Sequence, residues 1–343
     1  MGIKEVPRIN FETLQLLRGV AAILIVFFHA FGENSIFVYG VYGVDLFFVL
    51  SGFIIMYTHH SDIGLSNTLR DFLIKRLVRI FPTYWMVTFC YITLVTISGH
   101  ALSVEYIVKS LLLLPQDTLP IVGVAWSLQF ELLFYLIFSL LILNKKIFYP
   151  MFWMWGLASM SFLFLPIELP KVLKFIFSPF NLEFLLGCII ALVIIKNKLS
   201  YKWIAGMGIS TIIISFFLQY KVFFEVHRVI FWGVPFSILI LGLVKLEIRR
   251  RVHIPRVLTY FGDASYSIYL THLISLLVLE DIAEMILVEN LILAKFLICA
   301  LSIMLGCIFY SLFERKYYYY LKSKLVSKKK FEPASQELNV ELR

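Results

Sequence analysis

Apolar residues run along this chain in long blocks separated by short polar stretches. Ten blocks read as helices, at about 13–31, 41–58, 81–98, 123–143, 148–165, 176–195, 203–219, 229–246, 265–287 and 291–313. Several approach or exceed the roughly 20 residues needed to cross a bilayer. No soluble domain and no internal repeat stands out. The pattern predicts an all-α, polytopic transmembrane bundle of about ten helices over residues 1–322, with a basic tail at 323–343 that is disordered beyond its lysine cluster. The first block lacks a small-x-small cleavage site, so it is expected to be a retained helix rather than a removed signal peptide.

Composition agrees with the pattern. The 343 residues are 60% hydrophobic and only 15% charged. The 33 Phe and 18 Tyr suit lipid-facing and interfacial positions. A net charge of +9 could suggest nucleic acid, but the basic residues sit in loops between apolar blocks and in the tail, which argues against that partner. If the ten helices alternate across the membrane, 25 of the 31 Lys and Arg fall on the side of the N-terminus and 6 on the other. The positive-inside rule then places both termini in the cytoplasm. The tail cluster can touch anionic lipid head groups or act as a plain stop-transfer signal. Cys90, Cys188, Cys299 and Cys307 all lie inside apolar blocks and form neither a metal-ligand spacing nor a disulfide framework, so they read as packing residues.

Polar residues inside apolar blocks carry the chemistry. The first block, "LLRGVAAILIVFFHAFG", contains Arg18 and His29. Either costs about 2.5 kcal/mol or more at a bilayer centre on insertion scales. Eleven residues at 100° each return to within about 20° of the start, so both project from one helix face, about 16 Å apart along the axis. A snorkelling arginine and an interfacial histidine would account for either alone; the shared face points to a fixed charge at the mouth and a titratable nitrogen within. After the second helix, "LRDFLIKRLVRIFPTYW" forms a cytoplasmic loop in this reading. If helical, it sets Arg76 and Arg79 on one face, with Arg70 and Lys75 nearby and Pro82 as a break or helix start. Clustered guanidinium groups suit phosphate, although ordinary positive-inside charge would look similar.

Other intramembrane polar residues are Asp45 and Ser51 in "GVDLFFVLSGF", Trp126, Ser127, Gln129 and Glu131 in "VAWSLQFELLFYL", Ser265, Tyr266, Ser267, Tyr269 and His272 in "GDASYSIYLTH", and Glu314 at the end of the tenth helix. Such groups usually face a bundle interior or a wet cavity. A carboxylate at Glu131 close to His29 would be a natural acid/base partner. For Asp45 and His272 a structural hydrogen-bond role and a direct one are both open.

Taken in order, Arg18-x10-His29, "GVDLFFVLSGFII", "KRLVRIFPTYW", "AWSLQFELLFY", "SYSIYLTH" and "FERKYYYYL" resemble the acyltransferase-3 family of integral membrane acyltransferases, which modify bacterial surface polysaccharides and related glycans. The resemblance covers nearly the whole chain apart from the tail. It is closest to the stand-alone members, which lack an extracytoplasmic hydrolase-like domain. It implies a multi-pass protein of the bacterial inner membrane. The donor substrate would be cytoplasmic acetyl-CoA or another acyl-CoA, with no bound cofactor or metal. The acceptor would be a hydroxyl of a cell-surface or lipid-linked glycan. Arg76, Arg79 and Arg18 would meet the donor's phosphates.

His29 would act as general base on the sugar hydroxyl, or as acyl carrier. The base role is preferred because one bundle could place donor and acceptor together. Glu131 would orient or charge-compensate His29. Trp126, Ser127, Tyr269 and Ser267 are candidate oxyanion donors. Two other classes remain: a transporter or flippase with a polar permeation path, and a non-catalytic membrane protein that binds glycolipid or protein. Neither explains a phosphate-suited cluster on the cytoplasmic side, and no repeat of the kind many transporters show is visible.

Overall fold

The computed structural model describes residues 11–165, 168–196, 203–221, 228–250, 252–285 and 291–325. Among them there is no strand. The helices are α1 (Glu12–Phe31), α2 (Gly43–His59), α3 (Leu69–Ile97), α4 (Val104–Leu111), α5 (Trp126–Leu143), α6 (Lys145–Ser161) and α7 (Lys171–Ile176). They continue as α8 (Asn181–Ile195), α9 (Ile204–Lys221), α10 (Val234–Arg250), α11 (Arg256–Met285), α12 (Leu291–Phe309) and α13 (Arg315–Leu325). Among the described residues, seven stretches are long and apolar enough to cross a membrane; they carry α1, α2, α3, α5, α8, α10 and α12. With α6, α9 and α11, these helices match the ten apolar blocks in order.

The differences from the sequence reading lie where charge interrupts hydropathy. The stretch read as a loop before residue 81 is the first third of α3, which begins at Leu69 and runs through Pro82 to Ile97. Arg70, Asp71, Lys75, Arg76 and Arg79 hide the helix from a hydropathy scan, but they make backbone bonds like any other residue. Pro82 neither breaks nor starts the helix, since α3 runs through it from Leu69 to Ile97; proline is tolerated inside membrane helices. Likewise α11 begins at Arg256, ahead of the apolar block. The short α4 and the basic α13 were not anticipated. Helix α13 reaches Leu325; the remainder of the tail, for which disorder is expected, lies outside the described residues.

Helix directions follow from side-chain register. α1 and α2 are antiparallel: Phe11 packs on Phe53 and Tyr57, while Gly43 meets Ala21 and Ile25. α1 and α11 are parallel, with Gly19 on Phe261 and Gly262, and His29 on His272. α2 and α8 are parallel, through Phe48 on Phe184 and Gly52 on Cys188. α9 and α10 are antiparallel, as are α11 and α12. Each pair has the relative direction that alternation along the ten helices requires.

Two apolar clusters hold the bundle. The larger centres on α2, α5 and α8; the smaller joins α1, α11 and α12 through Ala22, Val26, Ala264, Ile268 and Cys299. Cys188, Cys299 and Cys307 are buried free thiols, in keeping with the packing role expected of them, whereas Cys90 is exposed and does not pack in the core. Outward-facing residues remain apolar, among them Leu136, Met154, Leu157 and Phe217, each more than 60% exposed. Such a belt suits lipid rather than water.

Small residues let the helices approach closely. A Cβ on Gly262 would sit 2.0 Å from the Gln15 carbonyl oxygen, and one on Gly52 2.0 Å from that of Phe184. These are backbone atoms that cannot step aside. Gly262→Ala should therefore separate α1 from α11 and cost about 1–3 kcal/mol, the usual price of overpacking. Thermal unfolding in detergent checks this; an unchanged midpoint would contradict the close approach.

Candidate active site

A cavity of about 130 Å³ opens among α1, α2, α3, α5 and α11. Arg18 reaches it from α1 and Ser51 from α2. Arg76 and Arg79, three residues apart, face it from α3, confirming the shared face expected of them if helical. Ser127, Glu131 and Tyr135 form a stripe at four-residue spacing on α5, and Tyr266 and Tyr269 come from α11. Apolar side chains such as Phe47, Phe48, Leu50 and Leu128 fill the rest of the wall.

The three arginines are not equivalent. Arg79 forms an ion pair with Glu314, which is nearly inaccessible and also accepts the Ser267 hydroxyl at 2.5 Å. Arg18 meets the Gln15 amide oxygen at 3.5 Å and has no carboxylate partner among the described residues. Arg76 lies over the Phe72 and Tyr135 rings, and its one hydrogen-bond partner there is the His59 imidazole at 3.0 Å. Glu131 accepts the hydroxyls of Ser51, at 3.2 Å, and of Tyr135. The cavity therefore carries two guanidinium groups, Arg18 and Arg76, with no ion-pair partner among the described residues, beside one lining carboxylate, Glu131, so that positive charge is in excess. A charge left so in a low-dielectric interior is costly, and an entering anion would relieve that cost.

His29 lies near the end of α1 remote from Arg18, and its residue surface is exposed. Its partner is His272, not Glu131: the ring centroids are 4.8 Å apart, and His272 Nε2 lies 3.2 Å from His29 Nδ1. The hydrogen bonds of Glu131 go to hydroxyls in the cavity, so the expected His29–Glu131 contact is replaced by a histidine pair. The reason is register. Parallel packing of α1 on α11 brings residue 272 opposite residue 29, an alignment no hydropathy pattern encodes.

The tautomers follow from the partners. The Tyr269 carbonyl, 2.6 Å from His272 Nδ1, can only accept, so the proton sits on that nitrogen. His272 Nε2 is then an acceptor. His29 Nδ1 faces this acceptor and also the Ile25 carbonyl at 2.9 Å, so it too carries its proton. That leaves the lone pair on His29 Nε2, which has no hydrogen-bond partner among the described residues. The histidine pair connects to the cavity through Tyr269, which lines the cavity and whose carbonyl holds His272.

The remaining candidates divide. The Ser127 and Tyr269 hydroxyls are 2.8 Å apart and both donate toward the Val124 carbonyl. Ser267 is engaged by Glu314. Trp126 packs among Phe48, Phe130 and Phe180 and does not line the cavity. Asp45 stands apart: it is fully buried and takes two bonds of 2.6 Å from Arg228, whose guanidinium lies over the Tyr42 and Phe180 rings. Asp45 does not line the cavity, and its carboxylate is engaged by Arg228. Sequence reasoning passed over Arg228 and the fully buried Glu183. Glu183 lies inside an apolar block, so the rule that intramembrane carboxyls matter would have flagged it.

With fold and site in view, the comparisons with known proteins fall into place. The model of the acyltransferase domain of the acyltransferase-3 family matches residues 11–312, and the chain belongs to that family of membrane acyltransferases. It is similar to the exopolysaccharide production protein ExoZ of Rhizobium meliloti (strain 1021), with 30% identity over 266 residues that cover 69% of this chain and 76% of that protein. No solved structure matches the chain.

Proposed function

We propose that this acyltransferase moves an acetyl or other acyl group from acyl-CoA, drawn from the cytoplasm, to a hydroxyl of a cell-surface or lipid-linked glycan. The observation that carries this reading is the pair of guanidinium groups, Arg18 and Arg76, that make no ion pair among the described residues and line a cavity joined to a histidine pair through Tyr269. Phosphate oxygens are the natural partners of such groups. The similarity to a protein named for exopolysaccharide production supports a glycan acceptor. The ten helices are taken as ten membrane crossings of the bacterial inner membrane with both termini cytoplasmic, supported by the 25-to-6 distribution of Lys and Arg and by the alternating helix directions. The arginine end of the cavity then faces the donor's compartment.

In this mechanism the phosphates of the donor rest on Arg18 and Arg76, and the pantetheine arm carries the thioester toward His29. The sugar oxygen attacks the thioester carbonyl while His29 Nε2 takes the hydroxyl proton. The imidazolium so formed keeps its Nδ1 proton directed at His272 Nε2, which spreads the charge over two rings. The tetrahedral intermediate collapses with loss of CoA thiolate, and the proton held by His29 passes to that sulfur. A thioester is already activated, so nucleotide hydrolysis is not needed.

The test is turnover by the purified protein in nanodiscs. Acetyl-CoA should be converted to free CoA only when lipid-linked or polymeric glycan from the host is supplied, with label from the acetyl group entering the glycan. Glycan movement without CoA release would instead identify a transporter.

A further inference from the structure

His59, at the end of α2, is buried. Its Nδ1 is 2.7 Å from Asp62 Oδ2 and its Nε2 is 3.0 Å from the Arg76 guanidinium. A carboxylate only accepts, so the imidazole proton is on Nδ1; a guanidinium only donates, so the lone pair on Nε2 accepts from Arg76. Asp62, His59 and Arg76 thus form a directed chain that ends in the cavity. Arg76 Nε is buried without a hydrogen-bond partner, so the His59 bond is what fixes the fork.

From this geometry we infer that His59, held by Asp62, is a positioning residue that aims Arg76 at the anionic phosphate of the donor while leaving its charge uncancelled. The contrast is with Arg79, whose charge is answered by the Glu314 carboxylate. A neutral acceptor fixes a guanidinium without neutralising it, which is what an anion-binding arginine requires. The inference rests on the acyl-CoA reading above.

A protonated His59 would lose its acceptor and place a second cation beside Arg76. The charged groups facing the ring are Asp62, Arg76 and Lys75, with Phe72 packed edge-on at 5.0 Å. Donor binding should therefore weaken as the imidazole gains a proton on acidification.

The test is equilibrium binding of CoA, which needs no acceptor, to the full chain in nanodiscs. His59→Phe keeps the ring packing and removes the acceptor; it should weaken binding about tenfold or more, as loss of a hydrogen bond to a charged group does. His59→Gln should stay close to wild type, because its amide oxygen can accept from Arg76 and its amide nitrogen can donate to Asp62. It should also lack the component of the pH dependence that His59 contributes, which shows as a difference from wild type because titration of CoA itself is common to both. In an Arg76→Met background, His59→Phe should add nothing.

Equal binding by wild type and His59→Phe would overturn the proposal, as would an undiminished His59→Phe effect without Arg76, or identical pH profiles of wild type and His59→Gln. Wild type that binds no CoA at all would overturn the donor reading and this proposal together, a result distinct from equal binding by both.

Discussion

His29→Ala is expected to lower the rate of acyl transfer by about 10²–10⁴-fold, the usual contribution of a positioned general base, while CoA affinity changes little. The two effects separate because His29 lies about 16 Å along α1 from Arg18 and makes no contact with the arginines. The bonded Nδ1 and the unpartnered Nε2 identify the nitrogen that works. If His29 instead carried the acyl group, wild type given acetyl-CoA without acceptor would retain label on the protein, and the same assay reads it. Comparable transfer by wild type and His29→Ala would remove His29 from the mechanism and move attention to His272.

The second large effect is on the donor. Arg18→Met and Arg76→Met should each raise the Kd for CoA by about 10–150-fold, the range that corresponds to losing a charge-assisted bond of about 1.5–3 kcal/mol. Both should leave the protein folded, since neither residue makes an ion pair among the described residues. Arg79→Met should behave differently. It strands the buried Glu314 without its partner, a loss of about 3–5 kcal/mol for a broken buried pair, and should show as reduced folded yield before any effect on affinity. Isothermal titration with CoA, beside thermal unfolding of each variant, separates the two classes. Equal effects of all three on affinity, with stability unchanged, would contradict the assignment of charge in the cavity.

What the sequence disclosed follows its periodicities. Long apolar blocks and an eleven-residue spacing are local signals, so the all-helical architecture and the common face of α1 that carries Arg18 and His29 could be read directly. Arg76 and Arg79 were paired correctly on a conditional helix, although the helix itself was hidden by its own charges. Partner choice was not legible. Glu131 was matched to His29 because a carboxylate and an imidazole suit each other chemically. The pairing that forms, His29 with His272, depends on how α11 seats against α1, and that seating is set by Gly19 and Gly262. Asp45 likewise found Arg228, 183 positions away. The Asp62–His59–Arg76 chain escaped notice because His59 sits at a helix end, where a histidine looks interfacial.

The most direct test of the account is acetyl-CoA binding by the His29→Ala variant in nanodiscs, with acetyl transfer to host glycan measured on the same sample. The account predicts affinity like that of wild type and transfer reduced to near background. A folded variant that neither binds nor transfers would contradict the separation of donor anchoring from chemistry.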